Sequence, residues 1–236
     1  MRLGEAKTPD GMRIYALGDI HGCDAMLADM HLRIAADLAA RPAADHRIIH
    51  IGDYIDRGPD SAGVIRRLQG MIVADPRVIC LRGNHDQMLL DFLADPEAGA
   101  SMFLGNGGKQ TLRSFSVNLR SQNYAGLARQ LAEAMSPADR SFMEHLRLME
   151  RFGDFVFVHA GIRPGVPLER QEEHDLIWIR EEFLTDPRDH GFVLVHGHTP
   201  ADAPEVLPNR INIDTGAVYG GPLTCVILEG IDHRFL

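Results

Sequence analysis

Short apolar runs that end in a glycine and a polar cluster recur along the first third of the chain, and this rhythm constrains the fold most. The runs are RIYALGD, RIIHIGD and RVICLRGNHD, which end at Asp19, Asp53 and Asp86. Each repeat has about the length, roughly 30 residues, that one strand–helix–strand unit requires. The pattern therefore predicts parallel strands whose polar ends meet at one edge of a sheet, where open α/β sheets place their ligands.

Amphipathic helices are predicted between these strands, because apolar side chains recur there at helical spacing. Their apolar residues are Leu27, Met30, Ile34 and Leu38 in the first helix, and Val64, Ile65, Leu68 and Ile72 in the second. From about 87 to 150 the pattern is mostly helical and carries no compact polar cluster. We interpret this region as a helical insertion or cap.

Within the cap, SPADRSFMEHLRLM predicts a helix with Ser136 as N-cap and Pro137 at the first helical position. Its inner face is expected to contain Phe142, Leu146 and Met149.

Strands resume at DFVFVHAG, and a helix is predicted around DLIWIREEFL. Three further strands follow in GFVLVHGHTP, RINIDTGAV and LTCVILEG, and the last two are expected to form a hairpin or a pair in a second sheet. The chain is thus predicted to be one α/β domain (an α+β sandwich) over 1–236. It would have a central two-sheet β-sandwich with flanking helices, and a helical cap at about 87–150.

Charge and cysteine content narrow the functional class. Acidic residues outnumber basic ones by 33 to 24, which argues against a nucleic-acid binder. The three cysteines, Cys23, Cys80 and Cys225, are too few and too scattered for a disulfide framework or a zinc cluster. No apolar run is long enough for a membrane span, and the N-terminus lacks a signal-peptide core. We expect a soluble, cytoplasmic protein.

The strand ends collect oxygen and imidazole ligands without sulfur. Such ligands suit manganese, iron or zinc better than magnesium. They are too many for one tetrahedral ion, and two ions that share a carboxylate would account for them. Two metals about 3.5–4 Å apart form a clamp for in-line displacement at phosphorus. The candidates are Asp19, His21, Asp53, Asp56, Arg57, Asn84, His85, His159, His196 and His198.

The stretch GDYIDRG contains the groups that such a site needs. Asp53 can bridge two ions with its two oxygens, and Asp56 can reach back to orient a histidine. Arg57 offers a planar fork that suits phosphate oxygens. The flanking glycines permit a tight turn and close approach of the backbone.

The ordered blocks GDIHG, GDYIDRG, GNHD, VHAG and HGHT resemble those of the calcineurin-like metallophosphoesterases. More narrowly, they are similar to the phosphoprotein phosphatase family and its bacterial relatives, which include serine/threonine phosphatases and symmetrical diadenosine tetraphosphatases. The blocks extend from Gly18 to Thr199, which is most of the chain.

The resemblance implies a role for each position. Asp19 and His21 would hold a first metal together with Asp53. Asn84, His159 and His198 would hold a second, with Asp53 shared.

The same resemblance implies the catalytic groups. His85 would be the general acid, paired with Asp56, and Arg57 would bind phosphate. Arg180 lies where bacterial members carry a second such arginine. Two divalent ions are implied, with manganese preferred and iron or zinc as alternatives. A hydroxide that bridges them would attack phosphorus in line.

The resemblance leaves two enzymatic substrates open. The first is a protein phosphorylated on serine, threonine or tyrosine, and the second is a dinucleoside tetraphosphate. The segment LGNGGKQTL resembles one seen in both groups, and its neighbours Lys109 and Arg113 either contact extra phosphates or are surface charges. A third interpretation is a binding protein without catalytic activity. It is disfavoured because the blocks contain every expected metal ligand and the general acid.

Three further residues have two interpretations each. His196 precedes His198 by two residues, so it is either a metal ligand or a supporting group. Trp178 is either a core residue or part of the substrate cleft. Asp214 is a turn residue or supports the site.

Overall fold

The computed structural model describes residues 1–120 and 123–236, and two five-stranded sheets form its centre. The first sheet has the strand order β10-β9-β1-β2-β3 and the second has the order β4-β5-β6-β8-β7. The strands are β1 (Met12–Leu17), β2 (Asp45–His50), β3 (Val78–Cys80), β4 (Met149–Phe152), β5 (Phe155–Val158), β6 (Val193–His196), β7 (Glu205–Leu207), β8 (Arg210–Asn212), β9 (Cys225–Glu229) and β10 (Asp232–Phe235).

Parallel pairing brings the polar strand ends together. In the first sheet β1, β2 and β3 run parallel, with Leu17 opposite His50 and His50 opposite Cys80. In the second sheet β5, β6 and β8 run parallel, with His196 opposite Asn212. The predicted sandwich and its parallel strands are therefore confirmed, and the loops that carry the sequence motifs leave the sheets at one edge.

Helices cover both outer faces of the sandwich. The first two are α1 (Asp24–Ala40) and α2 (Ser61–Ala74), which match the two predicted helices. The helical region contains α3 (Asn84–Ala94), α4 (Pro96–Phe103), a π-helical turn (Leu104–Gly108), α5 (Lys109–Ser114), α6 (Tyr124–Ala134) and α7 (Pro137–Glu144). Two short helices, α8 (Glu173–Trp178) and α9 (Glu181–Leu184), precede β6.

Three apolar clusters hold these layers together. One lies between the sheets and contains Ile14, Ile49, Phe157 and Val195, all fully buried. A second packs the opposite face of the first sheet against the helices from α1 to α7, and a third packs the second sheet against α8 and α9. Since α3 to α7 share one apolar cluster with α1 and α2, the helical region is built onto the same core. The single domain with a cap at about 87–150 stays a prediction.

The expected pairing of the last two strands is wrong. Strand β8 pairs with β6 in the second sheet, whereas β9 pairs antiparallel with β1 in the first. A 3-10 turn (Ala217–Tyr219) between the left-handed Gly216 and Gly220 carries the chain from one sheet to the other. The connection therefore crosses the sandwich at the edge where the polar strand ends meet.

Helix α7 confirms its predicted start but ends earlier than expected. Ser136 caps it by accepting a hydrogen bond from the Asp139 backbone. After Glu144 the chain instead bonds to the end of β3, because the Arg147 N–H donates to the Cys80 carbonyl. Met149 consequently begins β4 instead of lying on the helix, and Met143 is the fully buried residue.

Within the described ranges, we find no helix with the length and apolar character that crossing a membrane would require.

Two imidazoles meet in the core beneath the first sheet. The Nε2 atoms of His31 and His50 are 2.9 Å apart, so one of them must donate the proton that the other accepts. Burial lowers the pKa of His31 to about 4 and that of His50 to about 3. Both rings are therefore neutral in the folded protein at neutral pH.

The His31–His50 pair predicts that the folded protein loses stability at acid pH. Because the folded pKa lies below the ordinary value of about 6.5, the unfolded chain binds more protons between pH 6.5 and about 4. The stabilisation is complete above pH 6.5 and is lost as the pH falls. The unfolding free energy of the wild type should fall with decreasing pH in this range. In His31→Gln we expect the slope of this fall to be smaller by up to about 1.4 kcal/mol per pH unit. Urea unfolding at several pH values measures this.

His233→Gln, at an exposed position of β10, is the matched control and should leave the slope unchanged. Equal slopes for the wild type and His31→Gln would contradict the burial of a neutral imidazole pair.

Candidate active site

The loops that follow five strands place the predicted site residues at one location. Asp19 and His21 follow β1, and the GDYIDRG loop follows β2. Asn84 and His85 open α3 after β3, while His159 and His198 follow β5 and β6. These residues are buried, except that Arg57 is half-buried and Arg180 is exposed.

The backbone of the site is strained. In the described part of the chain, six residues other than glycine have positive φ, and five of them belong to the site motifs. The five are His21 (44°), Asp53 (54°), Asp56 (71°), Arg57 (66°) and His198 (67°). Left-handed backbone is unfavourable for such residues and persists only where surrounding contacts fix it. The motifs therefore hold side chains in positions that an unconstrained loop would not adopt.

Asp53 is the centre of the cluster. Its Oδ2 lies 3.4 Å from His21 Nε2 and 3.9 Å from His85 Nε2. Its Oδ1 lies 3.4 Å from His159 Nε2 and accepts a hydrogen bond from the His85 backbone. Among the described residues, two groups of potential metal ligands share this carboxylate, one with His21 and His85 and one with His159 and His198.

Hydrogen bonds fix which nitrogen of each imidazole faces the centre. His21 Nδ1–H donates to the Ile55 carbonyl at 2.8 Å, and His159 Nδ1–H donates to the Ile51 carbonyl at 3.1 Å. Each ring therefore presents the lone pair of Nε2 to Asp53, as metal-ligating histidines do. Backbone carbonyls of the β2 loop thus select the tautomer.

Acceptor atoms of His159, Asn84 and Asp53 converge without a proton between them. His159 Nε2 lies 3.1 Å from Asn84 Oδ1, and that oxygen lies 2.9 Å from His198 Nδ1. With its Nδ1 proton used elsewhere, His159 faces Asn84 and Asp53 with a lone pair only. Such a set is repulsive unless a cation occupies its centre, so the donor chemistry fits a bound metal ion.

The protonation states agree with cation binding. Burial lowers the pKa of His21 to about 3 and that of His198 to about 2, which keeps both imidazoles neutral and able to ligate. Burial raises the pKa of Asp19, and the nearby carboxylates of Asp214 and Asp53 raise it further. Burial also raises the pKa of Asp214 to about 6. Neighbouring buried carboxylates stay ionised together only if a cation offsets their repulsion.

Asp19 is buried beside the cluster, and its role as a metal ligand stays a prediction. Its carboxylate accepts hydrogen bonds at 3.3 Å from the His198 backbone N–H. Among the described residues, the group of potential ligands around His21 and Asp53 contains His85 and does not contain Asp19. Asp19 is buried and lies against Gly197, where a Cβ would overlap its carboxylate.

His85 is held by Asp56, as predicted. His85 Nδ1 and Asp56 Oδ2 are 2.7 Å apart, and both side chains are buried. His85 Nε2 therefore points toward the Asp53 cluster. The other Asp56 oxygen accepts a hydrogen bond from Thr111 Oγ1 at 2.6 Å. The sequence pattern does not single out Thr111, although Thr111 lies in the segment LGNGGKQTL.

Asp86 is a second residue whose role the motif GNHD did not reveal. Its carboxylate accepts hydrogen bonds from the backbone N–H groups of Gly83, Asp53 and Tyr54 at 2.8, 2.9 and 3.1 Å. It thereby ties the loop after β2 to the start of α3. Gly83 is required at this contact, because a Cβ there would overlap the Asp53 side chain.

Two arginines flank the imidazole cluster. Arg57 Nη1 donates to His21 Nε2 at 2.7 Å, and Arg180 Nε donates to His198 Nε2 at 3.1 Å. Arg57 thus contacts a lone pair that a metal ion would use, whereas Arg180 contacts the His198 nitrogen opposite the one that faces Asn84. Both arginines therefore lie where they can meet an anion bound at the cluster.

Aromatic rings lie beside both arginines. The Arg57 guanidinium carbon is 5.7 Å from the centre of the Tyr219 ring, which is 66% exposed. Trp178 is half-buried and packs edge-on against His198 with ring centres 6.1 Å apart. Trp178 thus borders the cluster, in agreement with the cleft interpretation, and Tyr219 was not anticipated.

The remaining candidates lie around or outside the cluster. His196 is buried against Phe183, and its Nε2 accepts from Arg210 at 3.4 Å, so it supports β6 and β8. Asp214 accepts from the Gly216 N–H and stabilises the turn beside the site. Lys109 and Arg113 are exposed and line a separate shallow pocket with Leu119 and Leu127, as surface charges do.

The fold and this cluster of imidazoles and carboxylates define a metallophosphoesterase. The family model of the calcineurin-like phosphoesterases matches residues 12–227, and the chain belongs to that family. It is an enzyme of the phosphoester hydrolase class.

Similar proteins include two kinds of phosphatase. The chain is 31% identical over 224 residues to serine/threonine-protein phosphatase 1 of Salmonella typhimurium, with 92% of each chain covered. It is 26% identical to the asymmetrical bis(5'-nucleosyl)-tetraphosphatase PrpE of Oceanobacillus iheyensis, with 90% of this chain and 87% of that protein covered. A solved putative diadenosine tetraphosphatase shares the fold with a TM-score of 0.66 at 23% identity, over 98% and 97% of the two chains.

The role of Asp86 can be tested by replacing one of its acceptor oxygens with an amide nitrogen. Asp86→Asn places a donor amide against backbone N–H groups and leaves buried donors unpaired, so we expect the free energy of unfolding to fall by about 2 kcal/mol. Urea denaturation of the metal-free protein measures the change.

Asp91→Asn is the control on the exposed side of α3 and should change stability by less than about 0.5 kcal/mol. A similar small effect at Asp86 would show that its three hydrogen bonds do not hold the loop.

Proposed function

We propose that the site holds two divalent cations that share the Asp53 carboxylate. The observation that carries this proposal is that the two oxygens of Asp53 face different sets of ligands, with His21 beside Oδ2 and His159 beside Oδ1. His21 and Asp19 complete the first set. Asn84, His159 and His198 complete the second. We favour manganese, with iron or zinc as alternatives, because imidazole and carboxylate ligands occur together.

The chain's own residues would then perform the phosphoester hydrolysis as follows. When bound, the cations supply Lewis acidity at the phosphoryl oxygens and make a water-derived nucleophile available near neutral pH. Arg57 and Arg180 orient the phosphoryl group and stabilise the charge on its outer oxygens. His85 Nε2 donates a proton to the departing oxygen, while Asp56 holds the opposite ring nitrogen.

A protein phosphorylated on serine, threonine or tyrosine is the substrate class that we favour. The support is the similarity to a serine/threonine-protein phosphatase over 92% of both chains. The cluster lies at the sandwich edge with Arg180 exposed, so a phosphorylated side chain can reach it from solvent. We place the enzyme in the cytoplasm because its cysteines are free.

A dinucleoside tetraphosphate is the second candidate, and one observation favours it. The exposed ring of Tyr219 lies next to the Arg57 guanidinium, so a planar base could stack there while its phosphates reach the arginine. The similar PrpE proteins are named for the asymmetrical reaction, whereas the resemblance of the motifs suggested the symmetrical one. Release of ATP and AMP would indicate the asymmetrical reaction, and release of ADP alone would indicate the symmetrical one.

His85 and Asp53 give different expected defects. His85→Asn should lower kcat by about 10²–10⁴-fold with metal content retained, because only the general acid is lost. Asp53→Asn should reduce bound metal, since the shared carboxylate is removed. Metal analysis of the purified variants and turnover of a phosphoserine peptide measure both effects. Full metal content in Asp53→Asn would contradict the shared carboxylate.

Tyr219 separates the two substrate classes. If a base stacks on the ring, Tyr219→Leu should raise KM for diadenosine tetraphosphate by about tenfold, since one stacking contact contributes about 1–3 kcal/mol. KM for a phosphoserine peptide should change little. Tyr124→Leu, at a partly exposed position of α6, is the matched control.

A much higher kcat/KM for the dinucleotide than for phosphopeptides in the wild-type enzyme would reverse our preference between the two substrates.

A further inference from the structure

A segment of the helical region contacts the GDYIDRG loop after β2. The π-helical turn Leu104–Gly108 and helix α5 bring Gly107 and Thr111 against Asp56 and Arg57. None of the five sequence blocks contains this segment. Its contacts fall on the residues that we assign to proton donation and phosphate binding.

Thr111 surrounds Asp56 with hydrogen bonds. Its hydroxyl donates to Asp56 Oδ1 at 2.6 Å and accepts from the Asp56 backbone N–H at 2.9 Å. Ser61 Oγ lies 3.0 Å from the same hydroxyl and 3.1 Å from the Asp56 nitrogen. Thr111, Ser61 and Asp56 are each fully buried, so water cannot replace these contacts. One hydroxyl therefore uses its single proton and both lone pairs on this small group.

Gly107 supports the backbone of Arg57, the residue after Asp56, through a hydrogen bond. Its carbonyl accepts a hydrogen bond from the Arg57 N–H at 3.2 Å. Its φ is +109°, and a Cβ at this position would lie 2.8 Å from the Arg57 nitrogen. The glycine is therefore needed both for its backbone conformation and for the closeness of the contact.

These contacts account for the backbone strain of the loop. Asp56 and Arg57 are consecutive residues with φ of 71° and 66°, a conformation that needs support from outside the loop. Both backbone N–H groups are bonded to side chains or carbonyls of neighbouring segments, and the segment from Gly107 to Thr111 contributes to both.

We propose that Thr111 is a positioning residue for proton transfer to the leaving group. By fixing Oδ1 of Asp56, it directs Oδ2 at His85 Nδ1 and so aims His85 Nε2 at the departing oxygen. This inference rests on the proposed role of His85 as general acid. The Thr111 hydroxyl bonds to Asp56 and Ser61, so its effect on His85 passes through Asp56.

Such a role has a specific signature in the dependence on the leaving group. An alkoxide leaves poorly and needs the proton, whereas 4-nitrophenolate leaves well without it. Misplacing the acid therefore slows the hydrolysis of phosphoserine peptides more than that of 4-nitrophenyl phosphate. A defect in metal binding or phosphate binding slows both substrates alike.

The experiment compares Thr111→Val, Thr111→Ser and His85→Asn as intact metal-loaded enzymes. We expect Thr111→Val to lower kcat for the phosphoserine peptide by about tenfold, a part of the 10²–10⁴-fold of a general acid, and to lower it much less for 4-nitrophenyl phosphate. Thr111→Ser, which keeps the hydroxyl, should recover most of the loss. Metal content should equal that of the wild type in all three proteins.

Thr8→Val is the matched control, because Thr8 is also buried and donates to the Met12 carbonyl at the opposite end of β1. It should not change the ratio of the two rates. If Thr111→Val does not fold, Thr111→Ala removes the same hydroxyl without the branched side chain and is assayed in its place.

The outcomes distinguish the inference from the proposed function. Equal losses on both substrates, lowered metal content, or failure of serine to restore the rate would overturn the role of Thr111. If His85→Asn itself shows no preference between leaving groups, the general-acid assignment fails first. A leaving-group preference in His85→Asn but not in Thr111→Val would leave that assignment intact and refute only the inference.

Discussion

The buried carboxylate of Asp53 is the constraint on which the rest of the site depends. It is only 2% exposed, and four imidazoles and an amide oxygen surround it. Burial lowers the pKa of His21, His159 and His198, so these three imidazoles are neutral and offer no positive charge to offset the carboxylate. Arg57 and Arg180 contact only the outer side of the cluster. An uncompensated charge is expensive in such surroundings. The cluster is therefore stable as an ion-binding site, and the fold must supply enough stability to assemble it.

The fold assembles the cluster by fixing the backbone of the loops, and the backbone in turn fixes the side chains. Parallel pairing aligns the strand ends, and backbone carbonyls of Ile51 and Ile55 then set the tautomers of His159 and His21. Asp86 binds the loop after β2 to the helix after β3 through three N–H groups. The residues with left-handed backbone keep this conformation because the surrounding hydrogen bonds hold it in place. The geometry of the ligands is thus a property of the loops and of what braces them.

Local pattern predicted the two sheets, their parallel strands and the motif residues, because apolar periodicity and strand-end polarity are encoded in neighbouring positions. It could not reveal Thr111, which reaches Asp56 across 55 residues of sequence. For the same reason it missed the pairing of β9 with β1, since a strand's partner depends on the whole topology. The early end of α7 likewise follows from a backbone bond between Arg147 and Cys80. The features that local sequence pattern could not predict are these contacts between residues far apart in the chain.

We propose that the choice of substrate is made outside the Asp53 cluster. The similar phosphatases and tetraphosphatases are named for different substrates, and the groups at the rim of the cluster lie where a leaving group would contact the protein. In this chain the rim carries Tyr219 on the crossover between the sheets and Arg180 beside Trp178. Neither element braces the Asp53 carboxylate by hydrogen bonding to it. We therefore propose that the side chain displayed on the crossover, and not the Asp53 cluster, decides between a phosphoprotein and a dinucleotide as substrate.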